Sequence, residues 1–185
     1  MIDPAFGPFL FDTSADSYFD TALDHAALEW LRAYAIRFPV QVSVITVLER
    51  MRGYALSLQR LESARRLLVE TDQNEYRRDL ELGITKAEPF TAPCALIAAE
   101  LMAVCPMPPS SPRRSHRRVE SRQDRLSRWR FDILIAATAL VTGMPLIHNN
   151  PADFEFLRGA IERAPERCLG VGPLELISVK RLVAR

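Results

Sequence analysis

The sequence predicts an α/β fold with a mainly parallel sheet. Short apolar runs rich in β-branched and aromatic residues alternate with longer segments whose apolar residues recur at helical spacing. Glycine and proline punctuate the changes between them. The 185 residues are 48% hydrophobic, enough for one domain with a substantial core, so a single domain spanning 1–185 is expected.

In chain order, "GPFLFD" reads as a buried strand ending at Asp12. "TSADSYFDTALDHAALEWLRAYA" follows as a helix that Thr13 or Ser14 can cap. "PVQVSVITV" begins as a strand and runs into the helix "SVITVLERMRGYAL", with Ser43 as its cap. "LQRLESARRLLVETDQNEYRRDLELG" continues as charged amphipathic helix, and "APCALIAAELMAV" is another helix. Residues 106–128, rich in Pro, Ser and Arg, read as an exposed insertion loop. "DILIAATALVTG" is an apolar helix beginning at Asp132 and stopping at Gly143. "MPLIHN", "ADFEFLRGAIER" and "PLELISVK" complete the pattern as strand, helix and strand. There is no internal repeat.

A formal net charge of +1 does not mark a nucleic-acid binder, but the charges are unevenly placed. Met1 to Leu31 holds six acids and no Lys or Arg, whereas arginine dominates from Arg113 to Arg130. Such a run is a polyanion contact or a solvated face. The three cysteines, Cys94, Cys105 and Cys168, fit no metal or redox spacing, and reduced thiols in a cytoplasmic protein are expected. "MIDPAFGPFLF" has no basic residue and is broken by proline, unlike a secretory signal. No apolar run reaches membrane-spanning length, so no membrane association is expected.

Four acids stand out by position. Asp12 and Asp153 follow predicted strands, Asp132 opens the apolar helix, and Glu49 lies six residues past Ser43, one to two turns into its helix. Ligands of open parallel sheets gather at the carboxyl edge, where all four can converge. Clustered carboxylates repel one another unless a cation neutralises them, and Mg²⁺ or Mn²⁺ suits hard oxygen ligands. Taken singly, each acid has a plainer role. Asp132 suits a helix N-terminus, Glu49 can pair with Arg50 or Arg52, and Asp153 with Asn150 can cap the following helix. Asp12, before Thr13 and Ser14, can be a turn residue.

The joint pattern goes further. "FLFDTSAD", "VSVITVLERMRGY" and "FDILIAATALVTGMPLIHNNPADF", in this order, resemble the PIN-domain ribonucleases, in particular the VapC-like toxins of type II toxin–antitoxin systems. The matched pieces cover both ends of the domain and leave the middle poorly matched. The resemblance implies a PIN-like three-layer α/β/α fold around a central, mainly parallel sheet. It implies a metal-dependent endoribonuclease in which Asp12, Glu49, Asp132 and Asp153 are catalytic and hold one or two Mg²⁺ or Mn²⁺ ions. RNA would be cut to leave a 5′-phosphate and a 3′-hydroxyl. Ser14 and Asn150 would bind substrate or orient site carboxylates. An antitoxin would present a basic side chain to the acids, and a homodimer would use Leu28, Trp30, Leu31 and Tyr34, residues that equally suit an ordinary core.

The chain departs from the pattern in places. Its segment between Glu49 and Asp132 is long, His148 stands where a small hydroxyl residue is usual, and Phe131 precedes Asp132 where a more polar approach is common. Trp129, beside the arginine run, can stack on an unpaired base or pack on the following helix. The alternative to an enzyme is a catalytically silent PIN-like module that binds RNA or protein. A phosphatase using Asp12 as nucleophile ranks low, because Ser14 stands where such enzymes need a second Asp.

Overall fold

A computed structural model of the chain describes residues 2–21, 25–60, 63–109, 111, 119–168 and 170–183. Five strands, β1 (Leu10–Phe11), β2 (Val40–Ser43), β3 (Thr85–Glu88), β4 (Leu146–His148) and β5 (Leu176–Ser178), form one sheet in the order β3-β2-β1-β4-β5. Every pairing is parallel. β1 is central: Leu10 pairs with Gln41 and with Leu146, and Phe11 with Val42 and Ile147. The helices are α1 (Thr13–Thr21), α2 (His25–Ala35), α3 (Val44–Leu58), α4 (Ser63–Glu81), α5 (Ala92–Val104), α6 (Arg122–Thr142), α7 (Pro151–Arg163) and α8 (Val179–Val183).

Successive strand residues point to opposite faces, and the core divides accordingly. Leu10 and Leu146 join Ile97, Leu101, Trp129, Ile133, Phe154 and Leu157, from α5, α6 and α7, on one face. Phe9, Phe11, Val42 and Ile147 join Phe19, Trp30, Tyr34, Val179 and Leu182, from α1, α2 and α8, on the other. Both faces of the sheet are covered by helices, which is the three-layer α/β/α arrangement expected. On the second face Trp30 stacks on Tyr34 with ring centroids 5.4 Å apart, and the Tyr34 hydroxyl accepts the Phe9 amide at 3.1 Å. Gly7 is required beside them, because a Cβ there would lie 2.7 Å from Tyr34 Cε2 and 2.9 Å from Phe38. Trp30 and Tyr34, which the resemblance offers to a second copy, are thus buried within this chain.

Several expected boundaries shift. The segment expected as one helix over 13–35 is described as α1 and α2, with residues 22–24 outside the described set. Asp12, rather than Thr13 or Ser14, caps α1, its carboxylate accepting the Ala15 amide at 2.6 Å. β3, "TKAE", has no counterpart among the expected elements. Ser43 does cap α3, accepting the Ile45 amide.

The largest shift concerns α6, which begins at Arg122, ten residues before Asp132. Residues 122–128 are therefore helical and not part of an insertion loop. The Ser121 hydroxyl accepts the Asp124 amide at 3.1 Å and donates to the Asp124 carboxylate at 2.7 Å, which starts the helix. Gly143, with φ 67°, ends it in the left-handed region that glycine tolerates. Trp129 lies inside α6, 1% exposed, with its indole N–H donated to the Cys105 carbonyl at 2.7 Å. It is a core residue and cannot stack on a base. Of the arginines in the run, Arg113, Arg114, Arg117 and Arg118 lie outside the described residues. Cys94 and Cys105 are buried free thiols. Among the described residues no helix is long and apolar enough to cross a membrane.

Candidate functional site

The strand order sets where a site can form. The chain leaves β1 towards β2 and β3 on one side and returns from β3 to β4 on the other, so the connections diverge at the carboxyl ends of β1 and β4. A crevice opens at such a switch point. Asp12 follows β1 directly, and Asn149 and Asn150 follow β4. Two hydrogen bonds tie these ends together. The Asp12 amide donates to the Ile147 carbonyl at 2.9 Å, and the Asn149 amide donates to the Ser14 hydroxyl at 3.1 Å. Ser14 in turn donates to the Asp12 carboxylate, 2.7 and 2.9 Å from its two oxygens.

The other three acids arrive on helices. Glu49 lies in the second turn of α3, half-buried, and its Oε2 accepts the Thr13 hydroxyl at 2.6 Å. Asp132 projects from the middle of α6, 7% exposed, so it is not a helix N-terminal acid. Asp153, in the first turn of α7, is fully buried. Asn150 occupies the N-cap position of α7 but makes no side-chain cap. Its amide instead donates to Asp153 Oδ2 at 2.7 Å and to Asp132 Oδ2 at 3.3 Å, bridging two of the acids.

The charges of Asp12, Glu49 and Asp153 all reach Asp132. Asp132 is held well above the ordinary carboxylate range, first by burial and then by the negative charges of Asp12, Asp153 and Glu49, against the opposing charge of Arg128. Asp12 is pushed up to about 7 by burial, although the Ala15 amide and the Ser14 hydroxyl pull the other way, and the charges of Glu49 and Asp16 add to the rise. Asp12 and Asp132 therefore carry an electrostatic burden in a desolvated place, to which Glu49 adds in both cases and Asp153 in the second.

The structure adds residues that sequence reasoning did not single out. Thr13 takes up Glu49, and Arg128, one turn before Asp132 on α6, donates to Asp153 Oδ2 at 3.0 Å. Arg128 also grips Glu120 through Nε and Nη2, at 3.2 and 3.1 Å. Arg50 pairs not with Glu49 but with buried Asp16, at 3.1 Å, and packs over the Tyr76 ring at 4.6 Å. An i, i+4 offset between Arg128 and Asp132 is visible in sequence, but a partner 25 residues away is not. Beside Glu49, a cleft of about 690 Å³ runs between α3 and α4, with Asp72, Glu75 and Asp79 along the α4 side.

These internal partners have a consequence for cation binding. The donor set consists of hard oxygens and fits Mg²⁺ or Mn²⁺ by its chemistry. Yet among the described residues no three Asp, Glu, His or Cys side chains stand together ready to hold one ion. The carboxylates are turned instead towards Thr13, Ser14, Ala15, Asn150 and Arg128.

His148, at the end of β4, is not part of this crevice chemistry. It is 2% exposed, packs on the Phe154 ring at 5.2 Å, and its Nδ1 has no partner among the described residues. Burial, followed by the charges of Arg158 and Arg181, pushes its pKa down to about 4, so it is neutral near physiological pH. Because the folded value lies below the ordinary 6.5, the unfolded chain binds more protons between about 6.5 and about 4, and the stability His148 provides is lost as pH is lowered through that window. Denaturant titrations of wild type and His148→Gln should show the stability gap between them narrowing by about 3 kcal/mol from neutral pH to pH ~4. A gap independent of pH would show that His148 is not held neutral.

Fold and crevice together define a class: a three-layer α/β/α protein with carboxylates where its parallel sheet changes direction. Solved structures share the fold, these three among them. A chain of the VapBC2 complex of Rickettsia felis, bound to a DNA fragment from its promoter, is similar at a TM-score of 0.54 and 17% identity, over 92% of this chain and 97% of that one. A chain of DNA-bound VapBC from Salmonella typhimurium gives 0.56 and 14%, with the same coverage. A chain of FitAB bound to the IR36 DNA fragment gives 0.55 and 18%, over 93% and 95%. No family model and no curated protein matches the sequence.

Proposed function

We propose that the chain is a metal-dependent endoribonuclease, the toxin of a toxin–antitoxin pair. The observation that carries this reading is the state of Asp132, a carboxylate raised first by burial and then by the charges of Asp12, Asp153 and Glu49. A fold gains nothing by crowding four acids in a desolvated crevice, and a divalent cation is what makes them tolerable. Asp12, Glu49, Asp132 and Asp153 would hold Mg²⁺ or Mn²⁺. When bound, that ion lowers the pKa of a water and offsets charge on a phosphodiester. The chain's own residues supply the mount. Asn150 fixes Asp132 and Asp153 relative to each other, and Ser14 fixes Asp12 against the end of β4. Arg122, exposed on α6, offers charge to RNA phosphates. Charge complementarity supports an antitoxin with a basic segment, since the neighbouring cleft is lined by Glu49, Asp72, Glu75 and Asp79 against Arg50 and Arg52. Trp30 and Tyr34 are buried, which leaves the half-buried Leu28 and Leu31 of that face for a homodimer contact.

The test is incubation of the purified chain with Mn²⁺ and a mixture of structured RNAs, with the new ends mapped. Cleavage that leaves 5′-phosphates and stops on chelation is expected. The engagement of every site carboxylate by an internal donor favours a second reading, a silent RNA- or protein-binding module. RNA retention without cleavage would establish that reading and remove the first.

A further inference from the structure

Among the described residues, Arg128 brings a positive charge to bear on Asp132 against the charges of three other acids. Its guanidinium is held on two sides. Nη1 donates to Asp153 at 3.0 Å, and Nε with Nη2 form a paired grip on Glu120. The Arg128 and Glu120 side chains are each only 12% exposed and Asp153 is fully buried, so solvent screens these contacts little. Asp153 Oδ2 is thus already occupied by a positive charge and by the Asn150 amide. A divalent ion arriving at Asp153 meets a fixed guanidinium within hydrogen-bond distance of the oxygen it would take.

We propose that Arg128 is an internal counter-cation of the acidic crevice, holding Asp153 in the ion-free protein and lowering the affinity of the crevice for a divalent ion. This rests on the reading above that the crevice binds such an ion. Glu120 is the second half of the device. By sharing the guanidinium it draws charge away from the crevice, and it gives Arg128 a place to remain when Asp153 turns to an ion. The site would then exchange one cation for another instead of passing through a state with four unbalanced acids, and its affinity would be set by the competition.

The experiment is calorimetry of Mn²⁺ alone with the full chain, in wild type and in Arg128→Gln, Glu120→Gln and Arg130→Gln. Arg128→Gln should bind Mn²⁺ about tenfold more tightly, because a like charge has been removed from within a few ångströms of the ion. It should also show a lower melting temperature without the ion and a larger rise with it. Glu120→Gln should bind more weakly, since the whole guanidinium charge then falls on the crevice. Arg130→Gln, an exposed neighbour on the same helix, should match wild type. A merely structural Arg128 would give weaker binding when removed, so unchanged or weaker affinity in Arg128→Gln overturns the proposal. If that variant fails to fold, unchanged or tighter binding in Glu120→Gln overturns it instead. Wild type that takes up no Mn²⁺ would remove the ion-binding reading itself and this inference with it, an outcome distinct from either of the others.

Discussion

Asp132→Asn should reduce RNA cleavage by more than about a hundredfold, beyond what losing an outer-shell partner of a metal site costs, while making the ion-free protein more stable. The two effects share one cause. Asp132 is buried, and its charge is opposed by burial and by three other acids, so its ionised form is a burden on the fold. Asparagine keeps the shape, and its carbonyl can still accept the Asn150 amide, but it carries no charge for a cation to balance. The folded pKa is raised, so the penalty is absent at acid pH and grows as pH rises past the ordinary carboxylate value. The melting temperature of the variant should exceed that of wild type most clearly in alkaline, chelator-treated buffer. Added Mn²⁺ should then raise the wild-type melting temperature more than that of the variant. Cleavage at the wild-type rate would remove Asp132 from the chemistry. A lower melting temperature in the ion-free variant would show that the carboxylate is a structural necessity.

Trp129→Ala should destabilise the fold by about 3–5 kcal/mol, the usual cost of emptying a large aromatic from a core. Trp129 is among the largest fully buried side chains, and its indole N–H is committed to the Cys105 carbonyl. Truncation leaves both a cavity and a buried carbonyl without its donor, and the two costs add. The damage reaches the crevice, because Trp129 anchors the turn of α6 that presents Arg128 and Asp132. Chemical denaturation should show the loss, and Trp129→Phe, which fills most of the volume but cannot donate, should recover the larger share. A variant within about 1 kcal/mol of wild type would show that α6 is positioned by Ile133 and the alanines beyond it, and not by the indole.

The sequence made β1, β2, β4 and β5 readable for a common reason. Each carries apolar or β-branched residues bounded by proline, glycine or polar turns, as the buried strands β1, β2 and β4 must, and half-buried β5 at the other edge keeps the apolar pair Leu176 and Ile177. β3 escaped because it is an edge strand in which Lys86 and Glu88 replace the apolar run, a composition that protects an edge and hides it from pattern reading. The early start of α6 was obscured by arginine content. The Ser121–Asp124 cap, with Leu126, Trp129 and Ile133 at helical spacing behind it, was the signal that composition outweighed. At the crevice, the four acids stood at readable places relative to strands and helices. Their partners did not, because Thr13 against Glu49 and Arg128 against Asp153 depend on rotamers and on the packing of elements far apart in the chain.

The opposite facing of neighbouring strand residues has a last consequence. Leu10 and Leu146 belong to one core and Phe11 and Ile147 to the other, in strands only two and three residues long. A slip of one residue would exchange the two hydrophobic sets and turn Asp12 away from its neighbours, so the interior acts as a ruler for the chemistry at the rim. The spacing of residues ahead of Asp12 is therefore as constrained as their identity, and an insertion or deletion there would misplace the acid even if every side chain named above were kept.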